Sequence, residues 1–430
     1  MKGKKKLCFL LMLILLSSML SGCYDSVEVD DLAYVIAIGI DKGTMDNFRI
    51  TLQFALPLNM GTGGESGGGS GGEDGENKSV YNLTMEAPSV LSGINMANNI
   101  VSKQINLSHT KVVVFSKELA LEGIGDNILR LKRVRALRPN VNILVSRDGA
   151  ENFLKAVNPQ LSVNTAKYYE QGEITHERIG VTKRTQLHDF SIASRSLGAQ
   201  PVVSLAGISK YESSDDFERA NKDVGENHST FDISHDEFKA GEIPRVSKNR
   251  VEIRGLAVFN GGKMVGELDG NDTTFYFMVT GNFSFNNVTV KDPEDSKNVI
   301  VLTVKKSRNP VYKVEFRDGK PEISVKILLE ADIAAIGETL NYQTPEHMDI
   351  LEKKCEEIIK KGALDLLYKT SKEFGSDIFG FGNVAARKYL TWREWKKSDW
   401  LSNYKNATFN VDVDLVIRRP GLTVRSEPLV

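Results

Sequence analysis

The sequence predicts a mixed α/β fold of the α+β kind, in three domains, each a mostly antiparallel or mixed sheet packed with helices. Three observations predict it. Several stretches alternate apolar and polar residues with period two, one long stretch carries an apolar stripe at helical spacing, and two tracts poor in apolar residues interrupt the pattern. With 430 residues, 41% of them hydrophobic, the chain can bury more than one core.

The first element is an export segment, residues 1–22. Lys2, Lys4, Lys5 and Lys6 precede the apolar run Leu7 to Leu20, the pattern of a secretory leader. That run is about 14 residues long, whereas a bilayer core takes about 20 in a helix. Leu20-Ser21-Gly22-Cys23 follows at once, and this order resembles a bacterial lipobox: a leucine, two small residues, then a cysteine whose thiol takes a thioether-linked diacylglycerol. Two acyl chains at about 0.8 kcal/mol per buried CH₂ make a durable anchor where one is marginal. The competing reading is an ordinary secretory signal with a chance cysteine. No later segment reaches spanning length, so the remainder is expected outside the cytoplasmic membrane.

Residues 23–198 read as the N-terminal α/β domain. Tyr34 to Ile40 is a buried strand, Asp41-Lys42-Gly43 a turn, and Phe48, Ile50, Leu52, Phe54 and Leu56 one face of a second strand. Residues 61–78 are dominated by Gly, Ser, Glu and Asp and read as a flexible loop. Tyr81, Leu83 and Met85 resume a strand, so the loop is an insertion within a domain. A helix carrying Val90, Ile94, Ala97 and Val101 follows, then a strand at Val112 to Phe115 and one helix from about Lys117 to Arg133. Asn140 to Ser146 is a strand, and Asp148 with Glu151 resembles a capping box.

Residues 199–297 read as a middle domain, with strands at Pro201 to Ile208 and Val251 to Phe259 around a polar loop, 211–250. Asn260-Gly261-Gly262 turns the chain into Met264 to Leu268, and a short helix follows near Thr273 to Val279. Residues 298–430 read as a C-terminal domain with strands at Val299 to Val304, Tyr312 to Phe316 and Ile323 to Leu329. Phe409, Val411, Val413, Leu415 and Ile417 form its last strand. Between them runs a helix over 345–373: Thr344 caps it, Pro345 fits its first turn, and Met348, Leu351, Cys355, Ile358, Ile359 and Leu366 form a stripe.

Candidate chemistry is sparse. The formal charge of −1 becomes −5 without the leader, 51 basic against 56 acidic residues, which speaks against nucleic acid. Of three cysteines, Cys8 lies in the leader and Cys23 at its end, so no disulfide framework is available. The glycine run Gly61 to Gly72 lacks the Gly-Lys-Ser/Thr of a phosphate loop. His228, Asp232, His235, Asp236 and Glu237 are the densest set of metal-binding residue types, yet they lack a known ligand spacing, and a solvated acidic loop is the simpler reading. Cys355 on its helical stripe reads as a small core residue. Paired carboxylates, Asp215 with Asp216 and Glu356 with Glu357, read as solvated charge. Trp392, Trp395 and Trp400 in TWREWKKSDW suit either a protein-contact or membrane-surface patch or packing in a core.

Read together, GCYDSVEVDDLAYVIAIGIDKG at 22–43, YYEQGE at 168–173, GLAVFNGGKMVGEL at 255–268 and DIFGFGN at 377–383 make the chain resemble a known family. The spaced tryptophans and the last strand, ending Arg419-Pro420-Gly421, complete the likeness. The chain resembles the Ger(x)C family, the lipoprotein C subunits of nutrient germinant receptors in endospore-forming bacteria. It departs from the pattern at Tyr24, where many relatives carry Trp, and in the glycine-rich insertion. The resemblance implies a three-domain α/β protein on the outer surface of the spore inner membrane. It also implies two integral membrane partners, the A- and B-type receptor subunits, with nutrient recognition mainly on a transporter-like one of them. Enzymatic activity, a cofactor, a metal and nucleic-acid binding are not expected, and the site residue that carries over is the lipidation cysteine, Cys23. The alternatives of other classes are a solute-binding lipoprotein of a transport system and an envelope enzyme such as a wall hydrolase.

Overall fold

Eleven residues, LAYVIAIGIDK, carry apolar side chains on both faces of an extended chain, which suits a strand covered on both sides. In the computed structural model they form β1 (Leu32–Lys42), inside a nine-stranded sheet. The structure describes residues 2–19, 28–45, 47–56, 79–161, 164–213, 215–216, 237–293, 298–336 and 344–419. β2 (Phe48–Ala55) and β3 (Val80–Ala87) add antiparallel on one side of β1. β4 (Gln104–Asn106) runs parallel beside the start of β1, and β5 (Val112–Ser116), β6 (Asn142–Ser146) and β7 (Val202–Ile208) continue the parallel centre. The hairpin β8 (Val251–Asn260) and β9 (Lys263–Leu268) closes the far side antiparallel.

Helices cover both faces. After α1 (Lys2–Met19), α2 (Val90–Ala97), α3 (Lys117–Glu122), α4 (Gly125–Leu131) and α7 (Leu187–Ala193) pack on one side. There Val113, Phe115, Ile143 and Val145 meet Leu119, Ile128 and Phe190. On the other side Val112, Val114 and Leu144 meet α5 (Ala150–Ala156) and α6 (Thr165–Arg178) through Phe153, Leu154 and Tyr169. Among the described residues no helix is long and apolar enough to cross a membrane.

The second sheet shows the expected alternation. β13 (Lys320–Ala335) buries Ile323, Val325, Ile327, Leu329, Ala331 and Ile333 in turn. β12 (Val311–Arg317) and β11 (Val299–Lys306) pair antiparallel with its two halves, β10 (Asn286–Lys291) extends β11, and β14 (Thr408–Arg419) runs parallel to β13. Against this sheet pack α8 (Gly270–Thr280) and α9 (Pro345–Tyr368), followed by α10 (Phe381–Ala385), α11 (Trp392–Lys397) and α12 (Trp400–Tyr404). Thr344 caps α9, accepting from His347 N, and a π turn carries it on to Phe374, where Gly375 at φ 58° ends it.

Three expectations need correction. The helix expected over Lys117 to Arg133 is two, because Gly123 at φ 131° breaks it and Ile124 N donates to Gly262 O at 2.8 Å. The break lets the α3–α4 turn pack backbone to backbone on the β8–β9 turn, where a Cβ on Gly262 would lie 2.6 Å from Gly125 Cα. Asp148 does not cap α5: its N-cap is Gly149, and Asp148 accepts instead from Ile208 N at 2.7 Å. The middle region, among the described residues, has no sheet of its own. β7, β8 and β9 complete the first sheet and β10 joins the second, since strand pairing crosses boundaries that local pattern suggests.

Candidate functional site

The candidate residues separate once placed in the fold. Cys23, the glycine run Gly61 to Gly72, His228, Asp232, His235 and Asp236 lie outside the described residues. Among the described residues no three His, Cys, Asp or Glu side chains group closely enough to hold a metal ion. Cys355 is buried in the second core, and burial, with Glu352 and Glu356 nearby, pushes its thiol up to about 12. A thiol that resists ionisation is a packing group rather than a nucleophile. Asp216 accepts from Glu212 N and Ser213 N, closing a turn. Glu356 and Glu352 of α9 accept from Leu415 N and Ile417 N at 3.0 and 2.7 Å. These carboxylates occupy backbone donors of the sheet's β14 side. The tryptophans divide: Trp395 and Trp400 belong to the core, whereas Trp392 is exposed.

A cavity of ≈ 410 Å³ opens between the 237–242 segment, α8 and α9, lined by Glu237, Lys239, Glu242, Asp269, Asp272 and Asp365 among others. Three of its acids, Glu242, Asp269 and Asp272, are engaged in the fold. Asp269 caps α8 by accepting from Asp272 N at 2.9 Å, and Asp272 meets Lys369 Nζ at 2.5 Å. Burial, then the Asp272 charge, lifts the Asp269 carboxyl to about 6.

Beneath α6 a second polar group is enclosed between helix and sheet. Tyr169 donates to Gln53 Oε1 at 2.7 Å, while Gln53 Nε2 reaches Leu154 O at 2.9 Å and Asn82 Oδ1 at 3.0 Å. One turn on, Glu173 is 1% exposed and accepts from Ser204 Oγ at 3.2 Å, its other oxygen buried without a hydrogen bond. Burial pushes this carboxyl up to about 8. Burial favours its protonated form.

The densest convergence lies at the junction of the two sheets. Asp377, fully buried, accepts from Gly380 N, Phe381 N and Gly382 N at 2.9, 3.2 and 2.8 Å and from Trp400 Nε1 at 2.9 Å. Burial lifts it to about 6, and the four N–H donors keep it from rising further. Its own carbonyl accepts from Gln200 N at 2.8 Å, and Ser376 Oγ donates to Phe259 O at 2.6 Å. Gly198 and Gly382 lie so close that a Cβ on Gly382 would stand 2.6 Å from Gly198 Cα. Asp377 thus fixes a loop that carries one sheet's domain onto the other.

The family model described as "Spore germination protein N-terminal domain" matches residues 25–208, and "Spore germination B3/ GerAC like, C-terminal" matches 254–421. The chain belongs to the Ger(x)C family of spore germination proteins. Spore germination protein KC of Bacillus subtilis (strain 168) is 26% identical over 98% of this chain and 97% of its own. Spore germination protein GerQC of Bacillus cereus is 22% identical over 96% of this chain and 99% of its own. The crystal structure of the GerBC protein superposes with a TM-score of 0.51 at 14% identity, covering 88% of this chain and 96% of that one, a likeness of fold.

In this Ger(x)C chain the sequence stretches that carry the likeness have structural work to do. Gly39-Ile40-Asp41 ends β1 where α5 begins. A Cβ on Gly39 would stand 3.0 Å from Leu154, and Asp41 accepts from Ala150 N and Glu151 N at 2.7 and 2.9 Å. YYEQGE supplies Tyr169 and Glu173, and Gly266 of GLAVFNGGKMVGEL makes room for the Phe374 ring. DIFGFGN is the Asp377 loop. Sequence reasoning missed these roles, although one signal was legible: Asp377 stands three residues before Gly380 and five before Gly382, a spacing that suits a carboxylate wrapped by its own backbone.

Proposed function

We propose that this Ger(x)C protein is the membrane-anchored lipoprotein subunit of a spore nutrient germinant receptor, without catalytic activity of its own. Cys23 carries the lipid, and the body stands on the outer surface of the spore inner membrane beside two integral subunits of A and B type. Its work there is receptor assembly or relay of the nutrient signal. One observation carries the reading: the two family models follow one another along this chain, and relatives matched over nearly their whole length are named spore germination proteins. The geometry supports a scaffold. The polar groups that sequence and structure single out in the described residues are enclosed in the fold or cap its elements, as Asp41, Glu173 and Asp377 do.

Deleting the gene is expected to slow nutrient-triggered germination while vegetative growth and sporulation continue unchanged, and a Cys23→Ala copy restores less than the native copy. Mass spectrometry of the mature amino terminus from spores is expected to find diacylglyceryl-modified Cys23. An unmodified amino terminus removes the anchor from the reading. Thermal stabilisation of the purified protein by an amino acid or sugar would move it toward a solute-binding lipoprotein of a transport system.

A further inference from the structure

Between α10 and α11 the chain projects a short apolar tip. Leu390 is 96% exposed and Trp392 is 69% exposed, the two separated by Thr391. Large apolar side chains left this open cost hydration free energy unless something covers them. The tip is firmly mounted. Thr391 and Glu394 form a reciprocal capping box at the start of α11, and the Tyr389 ring behind the tip packs on Trp395 at 5.4 Å and Phe316 at 6.2 Å between centroids. Trp395 in turn stacks toward buried Trp400 at 6.1 Å.

The surroundings of the tip are cationic in a chain whose formal charge is −1. Arg387, Lys388, Arg393, Lys396 and Lys397 are all exposed, and among the described residues none of them is within ion-pair distance of an acid, Glu315 of β12, which pairs with Lys313, being near enough only to feel the Lys388 charge. Within the same stretch the acids are Glu394, which serves the capping box, and Asp399. Protruding apolar side chains ringed by guanidinium and ammonium groups lack the concave shape of a ligand pocket. They match a flat surface that is apolar inside and anionic outside: indole sits at headgroup depth, leucine reaches the acyl boundary, and the cations meet phosphate.

We propose that the Leu390–Trp392 tip inserts into the interface of an anionic lipid bilayer while the five surrounding cations bind its phosphates. This contact holds the C-terminal domain against the membrane. It rests on the proposed membrane attachment and adds a second contact point, independent of the lipid on Cys23, so that the body is held in one orientation rather than swinging on its tether.

The test uses unlipidated protein beginning at Tyr24, which keeps every residue of the three apolar cores, since none precedes Val35. It is sedimented with vesicles of phosphatidylcholine alone or with about a third phosphatidylglycerol, at low and high salt. Binding is expected to the anionic vesicles, weakened by salt, with a blue shift in tryptophan emission that Trp392→Phe abolishes, because Trp395 and Trp400 are already buried. Leu390→Ser/Trp392→Ser and Arg387→Glu/Lys388→Glu are each expected to weaken partitioning at least about tenfold. Absence of binding to anionic vesicles, or unchanged binding by the Leu390→Ser/Trp392→Ser protein, overturns the proposal. So does the case in which vesicles are ignored but that variant no longer co-purifies with its membrane partners from spores, which would make the tip a protein contact. Neither failure touches the anchor, which the mass of the spore protein's amino terminus reports separately.

Discussion

Glu173 shows what a single buried carboxyl does to the molecule. Its pKa rises from the ordinary 4.5 to about 8, with burial the leading cause. Between those values the folded chain holds a proton that the unfolded chain has released, so raising pH favours unfolding with a slope approaching about 1.4 kcal/mol per pH unit. Below pH 4.5 both states are protonated and nothing is lost; above about 8 the cost is complete. Glu173→Gln keeps the shape and removes the titration. Its melting temperature is therefore expected to exceed that of the native chain at pH 8.5 and to match it more closely near pH 4.5; parallel pH profiles for the two proteins would refute the assignment. Burial lifts the Asp41 carboxyl as well, but Asp41 serves as the external cap of α5, so Asp41→Ala is expected to lose about 1–2 kcal/mol in urea denaturation, with Asp41→Asn losing less. A sequence can display Asp41 at a strand end and Glu173 on a helix. It cannot display that the partners of Asp41 stand 109 and 110 positions away, because burial and capping across the fold are properties of packing.

At the scale of elements, periodicity was a sound guide wherever one face is buried. β13, β14 and α9 were legible because every second residue, or every third and fourth, must enter the core. The α3–α4 break was not, since its reason is a contact with Gly262 in a distant hairpin. Gly362 in the middle of α9 poses the same problem. By helix propensity alone, Gly362→Ala would gain about 1 kcal/mol. A Cβ there would stand 2.1 Å from Cζ of the buried Phe275 ring on α8, and overpacking of this kind costs about 1–3 kcal/mol. The packing cost wins, so Gly362→Ala is expected to lower the melting temperature, and Phe275→Leu added to it to recover part of the loss. A higher melting temperature for the single variant would mean that the Phe275 ring yields to the added methyl at little cost, and would refute this tight apposition of α8 and α9.

Across the whole molecule, the two sheets are joined by more than a linker. Val202, Leu256, Val258 and Leu268 of the first sheet belong to the same apolar core as β10–β14 and α9. Three domains were a fair reading of local pattern, because each run of strands and loops looks self-contained; only the pairing of β7 with β6 shows that the middle region completes the first sheet. A shared core predicts shared stability: the native chain is expected to unfold in one transition, with tryptophan emission from Trp395 and Trp400 tracking the loss of secondary structure. The weak point is the contact of Gly198 with the Asp377 loop, where a Cβ would lie 2.8 Å from Asn383 N and 2.9 Å from Gly382 C, atoms that cannot move without breaking the loop. Gly198→Val is therefore expected to separate the two probes, tryptophan emission changing at lower urea than the circular dichroism of the nine-stranded sheet. If both still move together at the native midpoint, the junction is compliant and could not carry a displacement from one half to the other. If they separate, the Asp377 loop is the coupling on which any relay through this subunit depends, and Gly198→Val spores should germinate more slowly while the protein remains at its native level.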